Sequence, residues 1–209
     1  EFVYFNGNLG DPMMNPHILQ LTAMTGCRTS VTTNGSIGSR HTWEHFAKSG
    51  VEATFSIDGL ADTNHLYRQD VEWNKIMDRI KWFVDSGGKA TWKWVPFKHN
   101  SHQTEQARKL SDDLGFEDFL VEDHGRNHGP ALDKDGNITP KEKVYQIECE
   151  HERDKSIYID AQGRIGPCCY QGFDLPDLPF IDLDEFASVK ETWATKECNA
   201  VCVKSCGLK

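Results

Sequence analysis

The first 121 residues alternate short β-rich runs with helical patterns, and this alternation restricts the possible folds more than any other feature. Aromatic and β-branched residues, which favour strands, dominate the β-rich runs. The runs lie at 2–5, 28–32, 52–57, 89–95 and 119–121. Strand, helix and strand in succession require crossover connections, which produce a parallel sheet. The sequence therefore predicts an α/β fold for this part of the chain.

Helix start and stop signals lie between these runs. Asn15 is predicted to cap the first helix with Pro16 at its first position, and Asp70 is predicted to cap the third and longest helix. Glycines follow the predicted last turns. The four predicted helices span about 15–26, 40–49, 70–86 and 103–114.

Polar loops follow each predicted strand, at 6–12, 33–36, 56–59, 96–100 and 122–124. Ligands of parallel sheets and barrels bind at the carboxyl ends of the strands. Any one of these loops is explained by the turn preferences of Gly, Asn and Asp. Together they predict a rim of backbone donors, carboxylates and amides that suits a small polar ligand carrying both charges.

The composition disfavours two classes of partner. Thirty-two acidic and 23 basic residues give a net charge of −9, which argues against a nucleic-acid partner held by bulk electrostatics. No apolar run is long enough to cross a bilayer, and no secretory signal is visible. We therefore expect a cytoplasmic protein with no membrane partner.

Six of the seven cysteines lie within 149–209, where the pattern changes. Cys149 is followed by 13 residues and Gly163, and four further residues precede Cys168. The segments 156–160 and 164–166 between them are predicted to form a β-hairpin, which brings its flanking cysteines together. A predicted helix over 184–193 leads to the remaining cysteines, Cys198, Cys202 and Cys206.

Three kinds of chemistry fit these cysteines. Disulfides need an oxidising compartment, which no signal supports. A structural zinc site takes four thiolates, usually in Cys-x2-Cys pairs, and none occurs here. An iron–sulfur cluster also takes cysteine ligands, with looser spacing. The residues alone leave the cluster and the zinc site open. Cys27, which stands apart, is expected to be a buried small hydrophobic residue.

Taken together, the polar rim and the Cys–Gly–Cys spacing resemble a radical S-adenosylmethionine enzyme with a carboxyl-terminal SPASM or twitch auxiliary-cluster domain. The resemblance extends over 2–206. It implies a partial parallel (β/α) barrel over 1–143 and a small cysteine-rich module of hairpin and helix over 144–209. In that family, a 4Fe–4S cluster reductively cleaves S-adenosylmethionine to a 5′-deoxyadenosyl radical, which abstracts hydrogen from the substrate.

The resemblance also implies roles for the rim. The segment 9–12 is similar to the Gly-Gly-Glu-Pro element that holds the methionine ammonium group, with Leu9 in place of a glycine and Asp11 in place of the longer Glu. The segment 55–59 resembles a strand end that contacts ribose. Arg68 resembles an arginine that binds the methionine carboxylate, which suits its bidentate fork. The implied cofactor-binding residues are Gly10, Asp11, Pro12, Asn34, Ser56, Asp58 and Arg68.

For the auxiliary cluster, the resemblance implies Cys149 and Cys168 as ligands. Two further ligands are expected among Cys198, Cys202 and Cys206, whereas Cys169 is expected to be a neighbour. The Cys-x3-Cys-x2-Cys loop that binds the catalytic cluster does not occur in the sequence. We therefore expect a fragment whose catalytic cluster belongs to an upstream segment, and which alone is inactive.

Two functions stay open at this point. The first is the carboxyl-terminal portion of an enzyme that modifies a peptide or small metabolite by radical chemistry, with electrons from a donor such as a flavodoxin or ferredoxin. The second is a non-catalytic binding module with a structural zinc site, which the same cysteine spacing and the missing loop also allow.

Overall fold

The computed structural model describes residues 2–7, 10–122, 157–160 and 165–166. The chain divides into two units, Glu1–Ala131 and Leu132–Lys209. The predicted boundary between 143 and 144 lies outside the described residues and stays a prediction.

A five-stranded parallel sheet forms the centre of the first unit. The strands lie side by side in the order in which they occur along the chain, as in a (β/α) barrel. The α/β class is thus confirmed, and each strand lies within a residue or so of its predicted position. The strands are β1 (Phe2–Phe5), β2 (Arg28–Thr33), β3 (Glu52–Ser56), β4 (Ala90–Trp94) and β5 (Asp118–Val121).

The helices that connect the strands pack against one another in sequence. Contacts join α1 to α2, α2 to α4, and α4 to α5, so these helices cover one face of the sheet. The short helix α3 was not predicted. The helices are α1 (Ile18–Met24), α2 (Arg40–Lys48), α3 (Asn64–Tyr67), α4 (Trp73–Asp85) and α5 (Thr104–Leu114), with 3-10 turns at Pro12–Met14 and Ser101–Gln103.

Two predicted helix starts are wrong. The Asn15 side chain accepts a hydrogen bond from the backbone N–H of His17 at 2.9 Å, which closes a turn, and α1 begins only at Ile18. Asp70 has a φ of +58°, in the left-handed region, whereas an N-cap residue is extended. Glu72 takes the N-cap position of α4 instead, without a side-chain cap.

Aromatic side chains fill the core between the sheet and the helices. Phe55 of β3 stacks on Trp43 of α2 with ring centres 5.2 Å apart, and it meets Phe83 of α4 edge-on at 6.1 Å. Trp92 lies beside Phe55 in the parallel register and is also fully buried. Burying a large aromatic side chain contributes about 2–3 kcal/mol, so this cluster fixes the sheet against its helices.

The opposite face of the sheet is polar. Thr32, Thr54 and Thr91 lie side by side across β2, β3 and β4, and all three are half-buried. Ser56 lies next to Lys93 on the same face, and Lys93 forms an ion pair with Glu122 at 2.5 Å. The interior of a closed (β/α) barrel is filled mainly by branched apolar side chains. The central strands β2, β3 and β4 instead place hydroxyls and charges on this face.

The described part of the second unit is an antiparallel strand pair. β6 (Tyr158–Ile159) pairs with β7 (Ile165–Gly166), which confirms the predicted pairing of 156–160 with 164–166. The predicted helix over 184–193 and the six cysteines of this unit lie outside the described residues. Among the described helices, none is long and apolar enough to cross a bilayer.

Candidate functional site

The carboxyl edge of the sheet gathers most of the predicted rim residues. Because the strands are parallel, the loops after β1, β2, β3 and β4 all leave the sheet at this edge. Side chains bond the first of these loops to the second, and the third to the fourth, as described below. The four loops therefore form a rim built of two bonded pairs.

Asp11 joins the loop after β1 to the loop after β2. Its Oδ1 accepts a hydrogen bond from the Met13 N–H at 2.9 Å, which starts the 3-10 turn. Its Oδ2 accepts from the Thr33 hydroxyl at 2.8 Å and from the Asn34 N–H at 2.9 Å. A carboxylate has about four acceptor positions, so roughly one is left for a further donor.

The loop after β2 is held from two sides. The Asn34 Oδ1 accepts from the Ser36 N–H at 2.8 Å, while no acceptor contacts its Nδ2 among the described residues. From α4, the Arg79 Nε donates to the Gly38 carbonyl at 3.0 Å. Burial lowers the pKa of Arg79 from its ordinary value, although an arginine so shifted still carries its charge. Arg79 thereby fixes this loop on the helix layer.

Asp58 joins the loop after β3 to the loop after β4. It is fully buried, and its Oδ1 accepts from the Val95 N–H at 2.8 Å. Its Oδ2 accepts from Arg68, at 2.8 Å from Nε and 2.6 Å from Nη2. A buried carboxylate is tolerated only when it is paired and hydrogen-bonded, and both conditions are met here.

Two buried asparagines support the backbone around Asp58. The Asn64 Oδ1 accepts from the Asp58 N–H at 3.1 Å. The Asn100 Nδ2 donates to the Asp58 carbonyl at 2.8 Å and to the Val95 carbonyl at 3.0 Å. Sequence reasoning did not assign a role to either residue. Asn100 lies in a loop already identified as polar, but its partners become visible only in the folded chain.

A glycine allows the loop after β3 to turn back tightly. A Cβ atom on Gly59 would lie 2.4 Å from the Asn64 N atom, closer than real contacts allow. This close approach places α3 against the strand end, and Arg68 follows α3 directly. The glycine therefore contributes to the Asp58–Arg68 contact.

Arg68 is the accessible partner of the pair. Its side chain is 27% exposed, whereas that of Asp58 is fully buried. The guanidinium lies 5.1 Å from the centre of the Tyr67 ring, and Tyr67 packs on Phe97 with ring centres 4.3 Å apart. Among the described residues, no acceptor contacts its Nη1. One edge of the guanidinium is thus bound and the other is available.

Three further predicted residues lie at this edge. Ser56 ends β3, and its hydroxyl forms no hydrogen bond among the described residues. Pro12 is the first residue of the 3-10 turn that Asp11 caps. A Cβ atom on Gly10 would meet only the Met14 sulfur, at 3.8 Å, so nothing in the described part of the chain requires a glycine there.

The predicted cysteine ligands lie outside the described residues, so their arrangement stays a prediction. They are Cys149, Cys168, Cys198, Cys202 and Cys206. Within the described residues, no group of three or more His, Cys, Asp or Glu side chains is placed to hold a metal. Cys27 was expected to be buried but is half-exposed, because it precedes β2, and its Sγ donates to the Thr25 carbonyl at 3.1 Å.

The amino edge of the sheet carries two clefts of about 160 and 450 Å³. Two pairs of their polar side chains are bonded to each other. Thr25 bonds to Thr29 at 2.9 Å, and Arg28 pairs with Glu52 at 2.7 Å. The carboxyl edge combines a buried ion pair with an arginine edge, an amide nitrogen and a hydroxyl that have no partners among the described residues, and such convergent polar groups orient a ligand. We therefore place the candidate site at the carboxyl edge.

Comparison with known proteins identifies the fold. No family model matches the chain, and no curated protein matches it. Among solved structures, it is similar to SuiB of Streptococcus suis bound to S-adenosylmethionine, with 18% identity and a TM-score of 0.53 over 74% of this chain and 34% of that one. The chain shares its fold with SuiB.

A second structure gives the same result. The chain is similar to SuiB of Streptococcus suis bound to the precursor peptide SuiA, with 21% identity and a TM-score of 0.52 over 60% of this chain and 30% of that one. The chain thus matches about a third of SuiB. SuiB was crystallised with S-adenosylmethionine, the cofactor of the family that the sequence resembles. At this identity the likeness concerns the fold, and the ligand has to be argued from the residues.

Proposed function

We propose that this chain is the carboxyl-terminal portion of a radical S-adenosylmethionine enzyme that modifies a peptide or small metabolite. The observation that carries the proposal is the Asp58–Arg68 pair, whose free guanidinium edge lies at the carboxyl edge of a sheet with the SuiB fold. An arginine fork in this place suits the carboxylate of an amino-acid ligand.

The unpartnered groups of the rim fit the methionine part of S-adenosylmethionine. That part carries a carboxylate and an ammonium group, and it therefore needs a cationic donor and nearby acceptors. Arg68 supplies the cation, and Asp11 keeps roughly one acceptor position for the ammonium group. The Asn34 Nδ2 and the Ser56 hydroxyl have no partners among the described residues and are left for the nucleoside. Gly10 leaves space above the backbone beside Asp11.

Each residue of the rim has a role in this proposal. Arg68 binds the ligand carboxylate. Asp11 and the backbone of 10–12 receive the ammonium group, for which roughly one acceptor position of Asp11 remains. Ser56 and Asn34 bind the polar part of the nucleoside. When bound next to a reduced cluster, S-adenosylmethionine supplies a 5′-deoxyadenosyl radical. This chain's residues hold the cofactor and orient it.

The cysteine module is proposed to hold one auxiliary 4Fe–4S cluster through Cys149, Cys168 and two of Cys198, Cys202 and Cys206. The support is the spacing of the cysteines and the hairpin pairing of β6 with β7 between them. The catalytic cluster is proposed to belong to a part of the protein that this sequence does not include. A flavodoxin or ferredoxin would supply the electrons.

A peptide substrate is supported by two observations. SuiB was crystallised with a precursor peptide, and the chain shares its fold. The polar face of the sheet carries the row Thr32, Thr54 and Thr91 and the Lys93–Glu122 ion pair, which can form hydrogen bonds with a polar substrate. A soluble compartment, the cytoplasm, is proposed for the same enzyme.

The test is anaerobic reconstitution of the intact gene product with iron and sulfide, followed by assay of 5′-deoxyadenosine under reducing conditions. We expect a brown protein that forms 5′-deoxyadenosine. Cysteine-to-alanine variants at Cys149 and Cys168 should lose about four iron atoms per chain, the content of one cluster. A colourless protein with one zinc, no iron and no 5′-deoxyadenosine would support the zinc-binding module instead.

A further inference from the structure

We infer that Asp58 is a positioning residue: it fixes one edge of the Arg68 guanidinium so that the opposite edge receives the carboxylate of an amino-acid ligand. The inference deepens the proposed function and rests on it. It assigns Asp58 no contact with the ligand, which changes the role expected for this residue from the resemblance alone.

Three of the roughly four acceptor positions of the Asp58 carboxylate are used within the chain. One carboxylate oxygen accepts from Val95, and the other accepts from two nitrogens of Arg68. The side chain is fully buried, so a ligand outside the rim has no access to it. Its main-chain N–H and carbonyl bond to Asn64 and Asn100. Asp58 is therefore anchored both within its own loop and to the loop after β4.

The bonds to Arg68 use one particular edge of its guanidinium. Nε and Nη2 form the side edge, and both donate to the same oxygen of Asp58. The end edge, formed by Nη1 and the second hydrogen of Nη2, points away from that contact by the planar geometry of the group. A fork of two parallel donors is left for one further carboxylate.

Packing holds the plane of the guanidinium as well. The Tyr67 ring lies 5.1 Å from the Arg68 Cζ, and Phe97 supports Tyr67 from the loop after β4. An arginine side chain carries about 2 kcal/mol of rotamer entropy. Fixing this side chain before the ligand arrives reduces the entropy that binding must remove.

A purely electrostatic role and a positioning role for Asp58 predict opposite effects of neutralising it on ligand binding, and this makes the inference testable. If only charge mattered, neutralising Asp58 would leave Arg68 uncompensated and would strengthen its attraction for a carboxylate. If Asp58 positions Arg68, neutralising it weakens binding. In Asp58→Asn the amide has one oxygen and one NH₂ group, so it cannot accept from both Val95 and Arg68.

The experiment compares two probes by isothermal titration calorimetry on the full chain. S-adenosylhomocysteine carries the amino-acid carboxylate, whereas 5′-methylthioadenosine lacks it. We expect Asp58→Asn to weaken S-adenosylhomocysteine binding about tenfold and to leave methylthioadenosine within about twofold. A merely structural defect would weaken both probes equally. Asp62→Asn is the matched control, since Asp62 is exposed on the same loop and, among the described residues, its side chain bonds only to Gln103 at 3.0 Å.

The coupling between the two residues is a second readout. Arg68→Ala should cause the same selective loss, and the double variant should lose no more than Arg68→Ala alone, because Asp58 acts through Arg68. Losses that add in the double variant would contradict the inference. Unchanged or tighter binding of S-adenosylhomocysteine by Asp58→Asn would also contradict it, and the proposed function would stand.

Nitrogen-15 spectra of the wild-type chain keep the inference testable if Asp58→Asn does not fold. We expect the Arg68 Nε–H resonance to keep its position when S-adenosylhomocysteine is added, while the Nη resonances shift. A shift of Nε–H would mean that the ligand displaces Asp58, and it would overturn the inference. If the wild-type chain binds neither probe, that result contradicts the proposed function itself.

Discussion

Two carboxylates at the carboxyl edge of the sheet each join two neighbouring loops, but they do so through different partners. Asp11 joins the loops after β1 and β2 through neutral donors only, namely two backbone N–H groups and the Thr33 hydroxyl. Asp58 joins the loops after β3 and β4, but one of its two oxygens holds a cation, Arg68. Asp11 is half-buried, whereas Asp58 is fully buried.

The difference shows which charge of a ligand each half of the rim favours. Neutral donors fix Asp11 without compensating its negative charge, so the first half of the rim stays favourable for a cation. In the second half, Arg68 compensates the negative charge of Asp58, and the end edge of its guanidinium stays available for an anion. A ligand with an ammonium and a carboxylate group matches this distribution. Each prediction below changes one side of the comparison.

The largest effect is expected from Asp58→Ala. It leaves Arg68 without its partner and the Val95 N–H unsatisfied, and breaking such a buried pair costs about 3–5 kcal/mol. Because Arg68 is partly exposed, we expect the lower end of this range in the free energy of unfolding, measured with urea. The double variant Asp58→Ala with Arg68→Ala should regain part of the loss. A loss below about 1 kcal/mol would show that the pair is not buried as described.

A smaller effect is expected from Asp11→Ala. The change leaves the Thr33 hydroxyl and the Asn34 N–H without their acceptor, at a cost of about 1–3 kcal/mol. Asp11→Asn is the control: with its amide oxygen in place of Oδ2 it keeps both of these bonds and loses only the one from Met13, so its stability should fall less. If Asp11→Ala and Asp58→Ala lower the free energy of unfolding in urea by the same amount, the distinction between the two carboxylates is contradicted.

The smallest effect on stability is expected from Ser56→Ala. The Ser56 hydroxyl forms no hydrogen bond among the described residues, so its removal should change the free energy of unfolding by less than about 0.5 kcal/mol. Binding of S-adenosylhomocysteine should fall by about threefold to tenfold if the hydroxyl contacts the ligand. Unchanged affinity would remove Ser56 from the site, and a large loss of stability would show that it has a structural partner.

The sequence predicts the elements of the sheet well because they depend on local patterns. The β-branched run of β2 and the apolar stripe of α4, with Ile76, Ile80 and Phe83 buried, are visible without tertiary context. The helix starts at Asn15 and Asp70 are wrong because both residues have other local options, a side-chain turn and a left-handed backbone.

The candidate site is only partly visible in the sequence. Position alone places Asp58 and Ser56 at a strand end, and the resemblance marks Arg68. The partners of Asp58 cannot be read in this way, since Val95 and Asn100 come 37 and 42 residues later and reach it only through the pairing of β3 with β4. That Asp58 is inaccessible to a ligand is likewise a property of packing.

Hydrogen–deuterium exchange on the full chain, with and without S-adenosylhomocysteine, tests the central claim most directly, because it compares the two edges of the sheet in one measurement. We predict slower exchange in peptides that contain 10–14, 33–38 and 56–68, at the carboxyl edge, and no change in peptides that contain 25–29 and 49–52, at the amino edge. Protection at the amino edge, or none at either edge with a saturating ligand, would contradict a cofactor site built around Arg68.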